Sequence, residues 1–113
     1  MVRQQTTVYR LPQVRVTHTI LDPGEEVAWH HHTEVADTFY VVAGPLTIMT
    51  RAPAGVTILA AGEIFRTNPR QPHRVVNQSD HAVEFLLIQG VGQYDLHREP
   101  SPAQGRLTGG SES

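Results

Sequence analysis

Gly24-Glu-Glu-Val-Ala-Trp-His30-His31-His32-Thr-Glu-Val-Ala-Asp37-Thr-Phe-Tyr-Val-Val-Ala-Gly44 is the stretch on which the reading of this chain turns. His30 and His32 are two residues apart, and in an extended segment such side chains project from the same face. Two neutral imidazoles placed in this way can share one metal ion if a third or fourth ligand closes the site. Asp37 follows five residues after His32, and His73 is a further candidate well downstream. These four groups converge only if the sheet curls into a barrel or sandwich.

The flanking sequence supports that picture. Val14-Arg-Val-Thr-His-Thr-Ile-Leu21 alternates apolar and polar residues, the mark of a half-buried strand. Val14, Val16, His18 and Ile20 share one of its faces, so His18 is expected to point where the apolar residues point, as a core or pocket histidine. Thr38–Val42, Leu46–Thr50, Val56–Leu59, Glu63–Arg66, His73–Val76 and Val83–Ile88 read as further strands, rich in β-branched and aromatic residues. Between them lie Asp22-Pro-Gly24, Ala43-Gly-Pro45, Ala52-Pro-Ala-Gly55, Ala61-Gly62 and Asn77-Gln-Ser-Asp80, all turn-formers. No helical periodicity of useful length appears. The expected fold class is all-β, a jelly-roll barrel or sandwich. Residues 1–13 read as an N-terminal arm, 14–98 as the barrel domain and 99–113 as a flexible polar tail.

At 113 residues the chain has room for one core. A net charge of −2 leaves no electrostatic footprint for nucleic acid. All nine basic residues are Arg, which excludes lysine Schiff-base chemistry, and the absence of Cys excludes disulfides and thiolate ligands. No apolar run reaches membrane-spanning length, and the start has no apolar segment of a secretory signal, so a cytoplasmic location is expected. Seven His in so short a chain is the compositional oddity.

In these residues the chain resembles the cupin superfamily. The first cupin motif runs Gly, five residues, His-x-His, three or four residues, Glu, six residues, Gly; here Gly24, His30, His32 and Gly44 fall in place, with Asp37 where Glu is usual. The second runs Gly, five residues, Pro-x-Gly, two residues, His, three residues, Asn. Gly62, His73 and Asn77 match it, while Asn68 and Arg70 replace its Pro and inner Gly. The motifs cover residues 24–77, and strands on both sides extend the likeness to roughly 14–90.

The resemblance implies a small jelly-roll barrel with one divalent transition metal in its mouth, and His30, His32 and His73 as ligands. Imidazole ligands suit Fe, Mn, Ni, Cu or Zn alike. Asp37 is one methylene shorter than Glu, a deficit of about 1.5 Å in reach. Either the backbone moves in or Asp37 acts through water; Glu34 is the substitute nearest in sequence. His31, His81 and His97 read as surface residues.

Around the metal, Phe39, Phe65 and Phe85 are candidate pocket walls, with core packing as the simpler role. Arg66 is a candidate substrate anchor, or a buried charge paired with Glu63 or Glu84. Asp37 and His18 are candidate catalytic proton carriers, with Tyr40 behind them. The implied activity is metal-dependent chemistry on a small organic molecule. Dioxygenase-type oxidation leads, with isomerase or lyase chemistry on a sugar acid or carbonyl compound, and non-catalytic ligand binding, as alternatives. Small cupins commonly pair as homodimers, and Thr6–Arg10 is the candidate exchanged strand.

Overall fold

The computed structural model describes residues 2–11, 14–90, 92 and 95–99. Among these there is no helix. The strands are β1 (Gln4–Leu11), β2 (Val14–Leu21), β3 (Glu26–His31), β4 (Asp37–Ala43), β5 (Leu46–Thr50), β6 (Gly55–Leu59), β7 (Ile64–Thr67), β8 (His73–Val76), β9 (Val83–Gln89) and β10 (His97–Arg98). They form two five-stranded antiparallel sheets, ordered β1-β2-β9-β4-β7 and β10-β3-β8-β5-β6. The chain passes repeatedly from one sheet to the other, as a jelly roll requires, and among the described residues no ladder closes the two sheets into a continuous barrel. Beyond Glu99, the expected tail lies outside the described residues.

The core forms where the inner faces meet. Leu21, Phe39, Val41, Val83 and Phe85 come from the first sheet, and Leu46, Ile48, Leu59 and Val75 from the second. Alternation along β4 does this directly: Asp37, Phe39 and Val41 are buried, while Tyr40 and Val42 are 36% and 45% exposed. Beta-1 pairs with β2 of the same chain, Arg10 opposite Arg15 and Thr6 opposite His18.

On β2 the alternation is correct and the assignment of faces is reversed. Thr17, Thr19 and Leu21 are buried, whereas Val14, Val16, His18 and Ile20 lie on the outer face and are only half-buried. His18 therefore points away from the interior, where its ring lies 2.8 Å from Glu84 of β9. The inner face of β2 is polar because it faces a pocket. The outer face continues the apolar outer surface of the sheet.

The second motif's departures have a visible accommodation. Arg70 stands at φ 66°, in the left-handed region that its Gly counterpart would enter freely. Its N–H donates to His32 O at 2.6 Å, tying the β7–β8 turn to the histidine segment. Asn77 is fully buried and donates from its amide to Leu21 O and His81 O, while its Oδ1 accepts from Ser79 N. It therefore holds turns together instead of lining the site. Arg70→Gly is expected to stabilise the protein by about 1 kcal/mol, the scale of relieved backbone strain. Urea denaturation of the two proteins checks this, and a loss of stability would mean that the Arg70 side chain is needed.

Candidate metal centre and adjoining pocket

His30 is the penultimate residue of β3, directly opposite His73 on β8 across the ladder. His32 follows just past the end of β3, with its side chain returned to the inner face. Asp37 opens β4 and is held between Gln89 of β9 and Thr67 of β7. The ligand atoms of His30, His32, Asp37 and His73 all lie within 4.8 Å of one another, and all four residues are buried. The strand order brings Asp37 close enough for direct contact: its Oδ2 lies 3.1 Å from His32 Nε2 and 3.0 Å from His73 Nε2. Glu34 is exposed in the β3–β4 connection, outside the cluster.

Backbone carbonyls orient all three rings. His30 Nδ1 donates to Ala28 O at 2.7 Å and His73 Nδ1 to Gln71 O at 2.9 Å; His32 Nδ1 donates to Asp95 O. A carbonyl only accepts, so each Nδ1 carries the proton and each Nε2 is left to point inward. His32 and His73 then have an acceptor at both ends, a carbonyl behind and the Asp37 carboxylate in front. Without a metal, each would have to be a buried imidazolium to satisfy both, with His30 packed between them at ring-centroid distances of 5.0 and 4.3 Å. One divalent cation held by His30, His32, Asp37 and His73 would take the place of those protons. On this ground the donor set fits a metal.

The electrostatics carry the same tension. Burial, followed by the charge of His73, pulls the His30 pKa down to about 4. Burial also pulls His32 down, but the hydrogen bond and charge of Asp37, aided by the Asp95 carbonyl, outweigh it and raise its pKa. Asp37 is pushed up by burial and held well below the usual carboxylate range by its hydrogen bonds to His32 and His73.

A cavity of about 380 Å³ opens beside the cluster. Phe39 and Phe85 form part of its wall, as expected, and Phe65 instead packs half-buried against the core. Arg66 does not reach the cavity. It lies on the exposed side of β7, hydrogen-bonded to Asn68 Oδ1 at 3.2 Å, because an edge strand leaves its outer face in solvent. Neither His18 nor Arg66 is brought to the cluster.

Beside the cluster, the polar lining comes from residues not singled out as site residues in the sequence: Gln5, Thr7, Arg10, Arg15, Thr17, Thr19 and Gln89. Arg15 donates through Nε and Nη2 to Gln89 Oε1 at 3.1 and 2.9 Å, and Gln89 Nε2 donates to Asp37 Oδ1 at 2.9 Å. Asp95 is also unanticipated: its carboxylate accepts from Thr33 N–H at 2.9 Å, which holds its pKa down to about 2 and keeps its carbonyl behind His32. The polar parity of β2 was the available signal for Arg15, Thr17 and Thr19.

A family model described as a cupin domain matches residues 17–89. The chain belongs to the cupin family. No curated protein matches the sequence significantly. Among solved structures, this cupin resembles an uncharacterized conserved protein with a double-stranded beta-helix domain from Klebsiella pneumoniae, at 26% identity and TM-score 0.73 over 82% of this chain and 80% of that one. A cupin domain from Bordetella pertussis matches at 26% identity and TM-score 0.65, over 79% and 93% of the two chains. A cupin-superfamily sugar phosphate isomerase from Silicibacter pomeroyi matches at 24% identity and TM-score 0.64, over 73% and 53%, a likeness of fold.

Proposed function

We propose that this cupin is a metal-dependent enzyme acting on a small organic molecule, with dioxygenase-type oxidation as the leading reaction. The observation that carries the reading is the double demand on His32 and His73, carbonyl behind and carboxylate in front, which one cation resolves. His30, His32, His73 and Asp37 would hold the metal. When bound there, it supplies Lewis acidity and, for Fe, Mn, Ni or Cu, redox chemistry with dioxygen. Gln89 orients the Asp37 carboxylate through its side-chain amide, and Asp37 would be the residue to take up a substrate proton. Phe39 and Phe85 keep the inner wall apolar and limit water. Non-redox isomerase or lyase chemistry is the second reading, favoured by the hydroxyl and amide groups along the cavity and by the isomerase name attached to one structural relative.

The test is elemental analysis of protein purified without tag or chelator, followed by substrate screening with and without oxygen. About one transition metal per chain and oxygen-dependent consumption support the leading reading; turnover without oxygen supports the second. A folded protein that takes up no metal, even on reconstitution, removes both and leaves a ligand-binding barrel.

The protein is further proposed to act in the cytoplasm as a homodimer that buries the outer face of the first sheet. Tyr9, Leu11, Tyr40, Val42 and Ile64 are between 36% and 62% exposed there, a broad apolar surface for a monomer. Light scattering after size-exclusion chromatography is expected to give twice the chain mass, and Tyr40→Glu to return it to the monomer value. A wild-type monomer would remove the dimer. No helix among the described residues is long and apolar enough to cross a membrane.

A further inference from the structure

We propose that Arg15 is a positioning residue for Asp37. It fixes the direction of the Gln89 amide, and that amide holds Asp37 so that Oδ2 alone faces the histidines. This deepens the metal-dependent reading, on which it rests for the ion that Oδ2 would help to hold.

The three side chains lie in one row across the first sheet. Arg15 on β2 is the cross-strand partner of Gln89 on β9, and Gln89 is the partner of Asp37 on β4. Side chains directly opposite one another in a ladder stand on the same face, within reach of each other. Contacts run along the row without a break. Arg15 Nε and Nη2 fork onto Gln89 Oε1, and Gln89 Nε2 donates to Asp37 Oδ1 at 2.9 Å. The other carboxylate oxygen, Oδ2, is the one that meets His32 and His73.

A guanidinium only donates, and an ionised carboxylate only accepts. A primary amide between them satisfies both in one direction, with its oxygen toward Arg15 and its nitrogen toward Asp37. Turned over, it would set its oxygen against the carboxylate and its NH2 group against the guanidinium. Gln89 is 2% exposed, so a turned amide would not be rescued by bulk water. Arg15 therefore supplies the polarity that makes Gln89 a donor toward Asp37. The fork takes two of the five N–H groups of a guanidinium, so further contacts of Arg15 leave the amide's direction unchanged.

The lock acts at the position where Asp replaces the longer Glu of the cupin pattern. Ligating carboxylates are themselves held by hydrogen bonds, and here the bond falls on Oδ1. The short side chain is thus kept from turning, with one oxygen reserved for the cluster.

Arg15→Met, Arg15→Lys, Gln89→Met and the R15M/Q89M double variant test this. Zn(II) affinity is measured by competition with a chromophoric chelator. The Gln89 side-chain amide is followed by NMR of labelled, chelator-treated wild type and Arg15 variants. Gln89→Met is expected to weaken Zn(II) binding roughly 10–100-fold, the scale of losing a partner behind a metal ligand. Arg15→Met is expected to weaken it in the same sense, and Arg15→Lys, which still donates to Oε1, to restore most of the loss. The double variant should bind no more weakly than Gln89→Met, because Arg15 acts through the amide. Without metal, the Gln89 Nε2 protons should be protected from exchange in wild type and Arg15→Lys, and lose that protection in Arg15→Met. If Gln89→Met does not fold, the two Arg15 variants carry the comparison.

Unchanged amide protection in Arg15→Met overturns the proposal. So do additive losses of affinity in the double variant, or failure of Arg15→Lys to restore binding. A wild type that takes up no metal yet shows Arg15-dependent protection keeps the lock and removes the enzyme reading. Metal uptake indifferent to Arg15 does the reverse.

Discussion

His73→Ala is expected to abolish stoichiometric metal uptake. Losing a partner behind a metal-bound imidazole already costs roughly 10–100-fold in affinity, and here the ligand itself is removed. His73 is 1% exposed and lies opposite His30, so no neighbouring side chain on β8 can turn in to replace it. Wild-type protein saturated at a thousand times Kd should gain about 4 kcal/mol of stability from the metal, a gain the variant should not show. Elemental analysis and thermal denaturation with and without added metal read both effects. One metal per chain in His73→Ala would mean that the ion binds elsewhere.

The same cluster sets a pH dependence. His30 has its folded pKa lowered to about 4, so its contribution to metal-free stability is complete above about pH 6.5 and is lost as pH falls toward 4. Asp37, also lowered, acts in the same sense below the ordinary carboxylate range. His32 is raised and acts in the opposite sense: its contribution is full below about pH 6.5 and fades as pH rises through its folded value. Protons and metal compete for the same Nε2 atoms, so metal affinity should fall as pH drops below about 6.5. A titration showing affinity flat from pH 7 to 5 would contradict these ligands.

Much of this was legible in local patterns. Strand alternation and Gly/Pro punctuation exposed the all-β fold, and the His30–His32 spacing picked out the segment that carries the cluster. What stayed hidden depended on the third dimension. Alternation on β2 divides Val14, Val16 and Ile20 from Arg15, Thr17 and Thr19, but it does not say which set faces in. The usual preference for apolar residues inside fails where a strand borders a polar cavity on one side and an apolar outer surface on the other.

Arg66 looked buried because its strand reads as apolar, yet β7 is an edge strand whose Ile64 is itself 62% exposed. Gln89 and Asp95 act on Asp37 and His32 from 52 and 63 residues away in sequence. Nothing local marks such partners.

Phe39→Ala should be the most damaging core substitution and should also disturb the metal cluster. Phe39 is 2% exposed, and its ring lies 5.8 Å from that of Phe85 and 6.0 Å from that of His73. Truncating a buried Phe costs about 3–5 kcal/mol, against a total of roughly 5–15 kcal/mol for a domain of this kind. At roughly 4–8 °C per kcal/mol for a small domain, Tm should fall by more than about 10 °C. Phe39→Leu fills most of the same space and should recover most of that loss.

The consequence for the site follows from position. The Phe39 ring meets His73 edge-on, on the same inner face from which Asp37 projects two residues earlier. A void there frees the His73 ring to rotate off its Gln71 carbonyl, so metal affinity should weaken in Phe39→Ala even at temperatures where the variant remains folded. Denaturation curves and metal titrations on the two variants separate the effects. Unchanged metal affinity in folded Phe39→Ala would show that backbone hydrogen bonding alone positions His73, and a Tm shift below about 3 °C would mean that Phe39 is not a central core residue.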